Sequence, residues 1–368
     1  MKRLKRWIVA AAVFAQAVAP QATAGDGSGK YSDVQKVVAV GDLHGDFKAL
    51  KKILKASGLI DLEGNWIGGE AHLVLDGDLI AGKKKSKELI DFVMSLEAQA
   101  ELSGGRVHAL LGNHDILIAS GDYSHMTGAE RAAFVPGAKF EGDSETDASR
   151  AKAFERQLEL PLESEDVRGM KEVMALNDVF LEKGPVSKWM AKRPMAVVIN
   201  KKLYVHAGFE AEALNYKLRE INELAHAWIK FFQGRGERPP ETTEWIVGLR
   251  NGAFKGEIGP AFSRVYKINR LQAELENMRR EGTPSKELVA KILAHFGAEQ
   301  MVLGHMPTPT GEILLSHPYY GTMVALLDTR ISDEETGKIS ALVTEEGTTE
   351  TRYFPRKEKG LSCRALFE

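Results

Sequence analysis

Five short apolar runs in this sequence end in side chains of the kinds that bind metal ions. The runs are KVVAV, LVL, VHALL, KLYV and MVL, and Asp, Asn or His follows each of them. In an open α/β sheet, functional groups gather just beyond the carboxyl ends of the strands. Mixed nitrogen and oxygen ligands suit a pair of divalent transition metals, so the pattern predicts a metal site at one sheet edge. The residues concerned are Asp42, His44, Asp78, Asn113, His114, His206 and His305.

The first third of the chain alternates strands with helices. Strand-like Val37–Val40 precedes a segment over Phe47–Ser57 with helical apolar spacing, and Leu73–Leu75 precedes the amphipathic segment Lys87–Leu102. Val107–Leu111 then returns to a buried strand. This βαβαβ order predicts a parallel sheet with right-handed crossovers.

The rest of the chain adds helices and further strands. Residues 116–195 are polar and helical in character, which predicts a helical insertion, and Val197–Val205 is strand-like around a turn at Asn200. Residues 211–232 and 266–296 are mainly helical in pattern. Strands at the edge of a second sheet are predicted over Met323–Leu327, Ile339–Thr344 and Thr351–Phe354.

The N-terminus has the build of a secretory signal peptide. Basic residues lie within the first six positions, Trp7–Ala19 is apolar, and Ala22–Ala24 supplies small residues before the expected cleavage point. The apolar stretch is short for a transmembrane helix. We therefore predict a signal peptide over 1–24, no stable membrane anchor after its removal, and a periplasmic or secreted protein. An uncleaved membrane anchor is the alternative.

Charge and composition set further limits. The 49 basic and 51 acidic residues nearly cancel, so the charge gives no indication of nucleic acid as a partner. Cys363 is the only cysteine, which excludes an internal disulfide. The metal-type residues follow one another without an obvious linker between them. We therefore expect one domain over 36–357, with a linker over 25–35 before it and a tail over 358–368 after it.

A dinuclear site of this composition suits phosphoryl chemistry. Two metals about 3.5–4 Å apart would hold a hydroxide between them and clamp a phosphoryl group for in-line attack. Asp78 has two oxygens with which to bridge the metals, Asn113 supplies a neutral oxygen, and His206 and His305 add nitrogens. His114 directly follows Asn113, so its imidazole is well placed to protonate the leaving group.

The ordered motifs resemble those of calcineurin-like metallophosphoesterases. More narrowly, they resemble the phosphoprotein phosphatase branch and its bacterial Shewanella-like phosphatases, over roughly residues 36 to 330. The similarity extends to Gly121-Asp122-Tyr123 with the following Thr127–Phe134, and to Gly304-His305-x-Pro307-Thr308. The five motifs are Gly41-Asp42-x-His44-Gly45, Gly77-Asp78, Gly112-Asn113-His114, His206-Ala207-Gly208 and Gly304-His305.

The resemblance implies an α/β fold, an αββα sandwich of the metallophosphoesterase type with the helical insertion and a dinuclear site at one edge. It implies His114 as the general acid and Asp78 as the bridging ligand. Mn²⁺, Fe and Zn²⁺ all suit such ligands, so the identity of the two divalent ions stays open. The first metal would be held by Asp42, His44 and Asp78, and the second by Asp78, Asn113, His206 and His305.

Two residues depart from the family pattern after Asp78. The family continues with a carboxylate that orients the catalytic His and an Arg that clamps phosphate, whereas this chain has Ala81 and Gly82. We accordingly expect Ala81→Asp together with Gly82→Arg to raise activity. The third motif ends in Asp115 where the family usually has Glu, which is a milder change.

Three residues are candidates for binding the phosphate. Lys83 opens a lysine run and could supply positive charge, although an ammonium does not reproduce the bidentate Arg fork. Arg264 ends a segment, 259–264, that is similar to a family segment with a phosphate-contacting Arg. Arg250 is its competitor for this role.

The resemblance favours an exported phosphatase that hydrolyses phosphomonoesters of a protein or a small molecule, with phosphoprotein or phosphotyrosine substrates preferred. Two alternatives stay open. The chain is either a nucleotide or small-molecule phosphoesterase, or a catalytically weakened relative that keeps its metals and binds a phosphorylated partner; Ala81 and Gly82 motivate the second. Asp328, just after a buried strand, is expected to be structural, as are His72 and His108.

Overall fold

The computed structural model describes residues 27–136, 166–182, 184–254, 257–268 and 284–356. The predicted signal peptide, the predicted C-terminal tail, the centre of the predicted insertion and part of the helix predicted over 266–296 lie outside these residues. In chain order, the strands are β1 (Lys30–Tyr31), β2 (Lys36–Val40), β3 (His72–Leu75), β4 (Arg106–Ala109), β5 (Ala196–Ile199), β6 (Lys202–Val205), β7 (Leu249–Arg250), β8 (Ala253–Phe254), β9 (Gln300–Leu303), β10 (Val324–Leu326), β11 (Ile339–Glu345) and β12 (Thr348–Phe354). The helices are α1 (Phe47–Ala56), α2 (Ser86–Leu102), α3 (Asn113–Ala119), α4 (Gly128–Phe134), α5 (Asp166–Phe180), α6 (Pro185–Met190), α7 (Leu218–Phe232) and α8 (Lys286–Phe296).

The first sheet contains the predicted βαβαβ segment. Its strand order is β12-β11-β2-β3-β4, and β2, β3 and β4 run parallel. Val38 pairs with Leu73, and Leu73 in turn pairs with Val107. The helices between these strands begin and end within one residue of the predicted α1 and α2. The local pattern was therefore sufficient to predict the parallel βαβαβ part of this sheet.

The second sheet has the order β1-β5-β6-β9-β10. The predicted turn at Asn200 joins β5 to β6 in an antiparallel pair. Two expectations need correction here. Part of the predicted linker, Lys30–Tyr31, pairs with β5, because its backbone extends along that edge. Three strands near the C-terminal end of the chain were predicted at the edge of a second sheet, but only β10 joins it. β11 pairs with β2 in the first sheet, and β12 pairs with β11.

The two sheets pack face to face, with helices on the outside. Side chains alternate across each strand. Val37 and Ala39 of β2 therefore pack between the sheets with Val197 and Val302, whereas Val38 packs in the helix-lined core. Both faces of the central strands are buried, as expected for strands covered on two sides. The αββα sandwich is confirmed.

The helices are held by local caps and by the core. Asp46 caps α1 by accepting a hydrogen bond from the backbone N–H of Ala49 at 2.9 Å, and Leu50 and Ile53 bury the inner face of that helix. The described part of the 116–195 insertion is helical, through α3 to α6. Among the described residues, no helix is long and apolar enough to cross a membrane.

Candidate metal centre

All six predicted metal ligands lie at one edge of the sandwich. Asp42 and His44 follow β2, Asp78 follows β3, and Asn113 follows β4. The second sheet contributes residues just beyond β6 and β9, namely His206 and His305. The backbone also links the two sheets at this point, because His305 donates its N–H to Asp42 Oδ1 at 2.9 Å.

Asp78 lies at the centre of the cluster. Its Oδ2 is 3.4 Å from His206 Nε2, 3.9 Å from His44 Nε2 and 3.8 Å from His114 Nε2. Two groups of potential ligand atoms each fit within 4.8 Å: His44, Asp78 and His114 in one, and Asp78, His206 and His305 in the other. A carboxylate shared between two groups is what a bridging ligand requires.

The hydrogen bonds around His206 fit a metal ligand. Nδ1 donates to the carbonyl of Asp76 at 2.6 Å, which in the neutral ring leaves the lone pair on Nε2. That lone pair faces Asn113 Oδ1 at 3.1 Å and Asp78 Oδ2 at 3.4 Å. Nε2 of His305 is also buried, and no described residue hydrogen-bonds to it. Converging acceptors of this kind fit a divalent cation.

Charge is concentrated in this buried site. Burial, together with the charge of Asp328, raises the pKa of Asp42 to about 7. Burial alone lowers the pKa of His206, but the carboxylates of Asp78 and Asp42 outweigh it and raise that pKa to about 10. The site thus holds buried carboxylates whose negative charge its histidines only partly neutralise. A divalent ion would supply further positive charge.

Two further buried carboxylates belong to this environment and were not predicted as part of it. Asp76 is fully buried, and burial raises its pKa well above the usual range. Asp328 is 5% exposed and shifts the pKa of both Asp42 and His44. Both residues directly follow or lie just beyond a buried strand, which is the signal that could have identified them. The structure thus makes Asp328 electrostatically part of the site.

The backbone is strained where the ligands are presented. His44, Asp78, Ala81 and His305 all have positive φ values, of 41°, 48°, 71° and 60°. Non-glycine residues adopt this region at a cost, and such residues cluster at functional sites. Gly112 is required for a different reason, because a Cβ there would lie 2.2 Å from Asp78 Oδ1.

Within the described part of the chain, the ring of His114 lacks a hydrogen-bond partner of the kind that His206 has. Nδ1 is buried without a hydrogen-bond partner among the described residues, and Ala81 has no carboxylate to offer it. Burial lowers the pKa of His114 to about 4. The ring packs edge-to-face against His44 and His125, with centroids 5.0 Å and 4.6 Å away. The distance from His114 to Asp78 suits a metal ligand as well as the predicted general acid.

The three predicted phosphate binders differ in their surroundings. Arg264 is exposed. Burial and the charge of His206 lower the pKa of His305 to about 3, and the charge of Arg264 acts in the same direction. Arg250 interacts electrostatically with Glu210. Lys83 places its ammonium 2.6 Å from Glu334 and 4.0 Å from Asp46. The charge of Arg264 therefore acts on the predicted metal ligand His305, whereas Lys83 contacts the predicted ligand His44 through a backbone N–H that donates to the carbonyl of His44 at 3.0 Å.

Asp115 links the ligand loops to the core. Its Oδ2 accepts hydrogen bonds from the backbone N–H groups of Asp78 and Gly112 at 2.9 and 3.0 Å. The same oxygen forms an ion pair with Arg193 at 2.8 Å, and both side chains are almost fully buried. Arg193 also donates to the carbonyl groups of Ala109 and Leu110. Sequence reasoning identified Asp115 only as a departure from a motif and did not identify Arg193.

The loop after Asp78 corrects the expectation about Gly82. A Cβ at Gly82 would lie 2.6 Å from the carbonyl oxygen of His44 and 2.8 Å from its Cβ. An Arg side chain at this position therefore displaces His44, and the double substitution Ala81→Asp with Gly82→Arg is not expected to raise activity. Glu130 contacts this loop, and although it lies in the 127–134 segment that resembles the family, this contact was not predicted. Glu130 follows Thr127 by three residues, a spacing typical of a helix cap.

The comparisons with known proteins agree with this geometry. Residues 35–318 match the family model for calcineurin-like phosphoesterases. The chain is 26% identical over 56% of its length to Shewanella-like protein phosphatase 2 of Arabidopsis thaliana, of which it covers 54%. It is 34% identical over 27% of its length to Shewanella-like protein phosphatase 1 of Plasmodium berghei (strain Anka), of which it covers 29%. The chain thus spans about half the length of the first relative and less of the second.

Solved structures match the fold. One is the cold-active protein-tyrosine phosphatase of a psychrophile, Shewanella sp., with a TM-score of 0.60, 22% identity, and coverage of 89% of this chain and 84% of that one. A second structure of a cold-active protein tyrosine phosphatase gives a TM-score of 0.61, 22% identity, and coverage of 88% and 80%. At this level of identity the matches establish a shared fold.

Proposed function

We propose, from the premise that this chain belongs to the calcineurin-like phosphoesterase family, that it is a metal-dependent phosphatase acting on phosphomonoesters. The observation that carries the proposal is the position of Asp78, whose carboxylate is common to both groups of potential metal ligands. Asp42 and His44 would hold one divalent ion, Asn113, His206 and His305 would hold the other, and Asp78 would bridge them. The identity of the two ions, with Mn²⁺ among the candidates, is left to measurement.

Two bound divalent ions would supply Lewis acidity and an activated water for in-line attack on phosphorus. The chain's own residues contribute the rest. Asp115 and Arg193 fix the backbone that presents Asp78. Arg264 offers positive charge next to His305. His114 would transfer a proton to the leaving group, and the low pKa caused by its burial makes it a weak contributor near neutral pH.

Phosphoprotein substrates, including phosphotyrosine, are the class we propose first. The support is that the relatives named above are protein phosphatases and protein tyrosine phosphatases. A panel of a phosphotyrosine peptide, a phosphoserine peptide, a nucleoside monophosphate and p-nitrophenyl phosphate tests this proposal. A kcat/KM that is highest on the nucleotide would favour the nucleotide phosphoesterase alternative.

The test of the activity itself is turnover of p-nitrophenyl phosphate with added Mn²⁺. We expect Asp78→Asn to abolish turnover, whereas Asp91→Asn, an exposed aspartate on α2, leaves it unchanged. Turnover that survives Asp78→Asn would contradict the proposal.

The second candidate function is a weakened relative that binds a phosphorylated partner. Ala81 and the unpartnered Nδ1 of His114 favour it. Binding of two metal ions without turnover on the whole substrate panel would select this candidate.

We also propose that the protein is exported, on the basis of the basic, apolar and small-residue segments of its first 24 residues. N-terminal sequencing after expression of the full chain in a bacterium tests this. A mature chain that begins at Gly25 would support export, and an intact Met1 would contradict it.

A further inference from the structure

Glu130 is a buried carboxylate that reaches the loop beside the metal centre from a different part of the chain. It lies on α4, and its side chain is fully buried. Oε1 accepts a hydrogen bond from the backbone N–H of Ala81 at 2.8 Å, and Oε2 accepts one from Gly82 N–H at 2.8 Å. The hydroxyl of Ser86 lies within hydrogen-bond distance of Oε1 and of the carbonyl oxygen of Lys83, and it has one proton to donate. Burial raises the pKa of Glu130, and the two backbone N–H donors oppose that rise because they stabilise the charged form.

These two amides belong to the positions at which the chain departs from the family motif. The side chains expected at 81 and 82 are absent, but the backbone is fixed by Glu130 instead. Ala81 needs that support, because its φ of 71° is unfavourable for a residue with a Cβ. Such strained conformations persist only where the surrounding structure determines them.

The contact continues to a metal ligand through one peptide group. The N–H of Gly82 and the carbonyl of Ala81 are the two ends of the same planar amide. Glu130 accepts from the N–H end, and the carbonyl end accepts a hydrogen bond from His44 Nδ1 at 3.1 Å. An anion at the N–H end polarises the amide and strengthens its carbonyl as an acceptor.

We propose that Glu130 is a positioning residue for His44, acting through the 81–82 peptide. By fixing the proton on Nδ1, it presents the lone pair of Nε2 to the metal held by His44 and Asp42. Outer hydrogen-bond partners of this kind orient a ligand histidine and make it more basic. The inference rests on the assignment of His44 as a metal ligand in the proposed function.

The variant Glu130→Gln tests the proposal with Mn²⁺ as the probe. Gln keeps the size of the side chain but removes the charge and turns an NH₂ group toward a backbone N–H donor. We expect calorimetric titration to show one of the two Mn²⁺ sites weakened by about 10- to 100-fold, the usual cost of losing an outer partner, with the other site little changed.

The matched control is Glu244→Gln. Glu244 is a buried glutamate that also accepts a hydrogen bond from a backbone N–H, that of Gly252 at 3.2 Å, and it pairs with Arg238 at 2.7 Å. Mn²⁺ affinities that are the same in Glu130→Gln and wild type, or that fall equally in Glu244→Gln, would overturn the inference. If Glu130→Gln does not fold, Ser86→Ala replaces it, with the same selective but smaller loss expected.

The failure of this inference is distinguishable from that of the proposed function. If wild type binds no Mn²⁺, the assignment of the metal ligands fails and the inference with it. If wild type binds two Mn²⁺ ions and Glu130→Gln binds them equally well, only the role of Glu130 fails. Recovery of turnover by Glu130→Gln at high Mn²⁺ would add support, because a positioning role is compensated by metal concentration and a direct role in catalysis is not.

Discussion

The proposed metal ligands and the proposed general acid, His114, differ in how their side chains are supported. His206 has a backbone acceptor for Nδ1, and Asp78 has its backbone N–H bonded to a buried carboxylate. His114, in contrast, has an Nδ1 with no hydrogen-bond partner among the described residues. The proposed metal ligands are thus held by several mutually supporting contacts, whereas the proposed proton transfer depends on one imidazole whose Nδ1 has no such contact with the described residues. The two properties should therefore respond differently to mutation.

The largest effect is expected where the support of the proposed metal ligands is broken. Arg193→Met removes the partner of the buried Asp115 carboxylate. Removing one partner of a buried ion pair lowers the free energy of unfolding by about 3–5 kcal/mol, because the other charge stays buried without a partner. Urea denaturation measures this loss. Adding Asp115→Asn should restore part of the stability, since the unpaired charge is then gone; a double variant as unstable as the sum of the two single variants would contradict this coupling.

The second prediction concerns the pH dependence of metal binding. A divalent ion must displace the protons that His206 and Asp42 hold in the protein without metal, with pKa values of about 10 and about 7. Affinity for Mn²⁺ therefore rises with pH, by about tenfold per pH unit for each proton released. The slope should be steeper below pH 7, where both groups release a proton, than between pH 7 and 10. Titration calorimetry at several pH values checks this, and an affinity that falls with rising pH would refute it.

The third prediction concerns the proposed general acid, His114. A general acid commonly contributes 10²–10⁴-fold to a rate. Because His114 has a low pKa and no orienting carboxylate, we expect His114→Asn to lower kcat by only about tenfold, below that range. His295→Asn serves as a control, because His295 is exposed on α8 and hydrogen-bonds to the carbonyl of Tyr216. A 10³-fold loss in kcat would mean that another group orients His114.

The smallest effect is expected for the phosphate-binding candidates. Arg264→Met should raise KM several-fold, as expected when an exposed charge near the substrate is lost, whereas Arg250→Met should have less effect because Arg250 interacts with Glu210. Steady-state kinetics on p-nitrophenyl phosphate separate the two. A larger rise in KM for Arg250→Met would reverse the assignment.

The sequence was most informative about the site where an Asp or His follows a predicted strand. The convergence of Asp42, His44, Asp78 and the later ligands was predictable, because strand ends share an edge and the motifs occur in order. The sheet to which β10, β11 and β12 belong was not, since apolar alternation indicates a strand but not its neighbour. Period and spacing carry local information, and strand partners are set by packing across the whole domain.

The supports of the site were harder to predict than its ligands. Glu130 and Ala81 are 49 positions apart, and Arg193 and Asp115 are 78 apart. No periodicity relates such pairs. In the sequence, Glu130 fits a helix cap, and the steric need for Gly82 depends on the position of His44. These contacts exist only once the chain is folded.

The proposed dinuclear centre is tested most directly by the metal stoichiometry of wild type and of Asp78→Asn. We predict two equivalents of divalent metal in wild type after reconstitution with Mn²⁺, measured by elemental analysis of the purified protein. Because Asp78 faces both groups of ligands, its substitution should lower occupancy at both sites together. Wild type with one equivalent or none, or an Asp78→Asn variant that still binds two, would contradict the dinuclear centre.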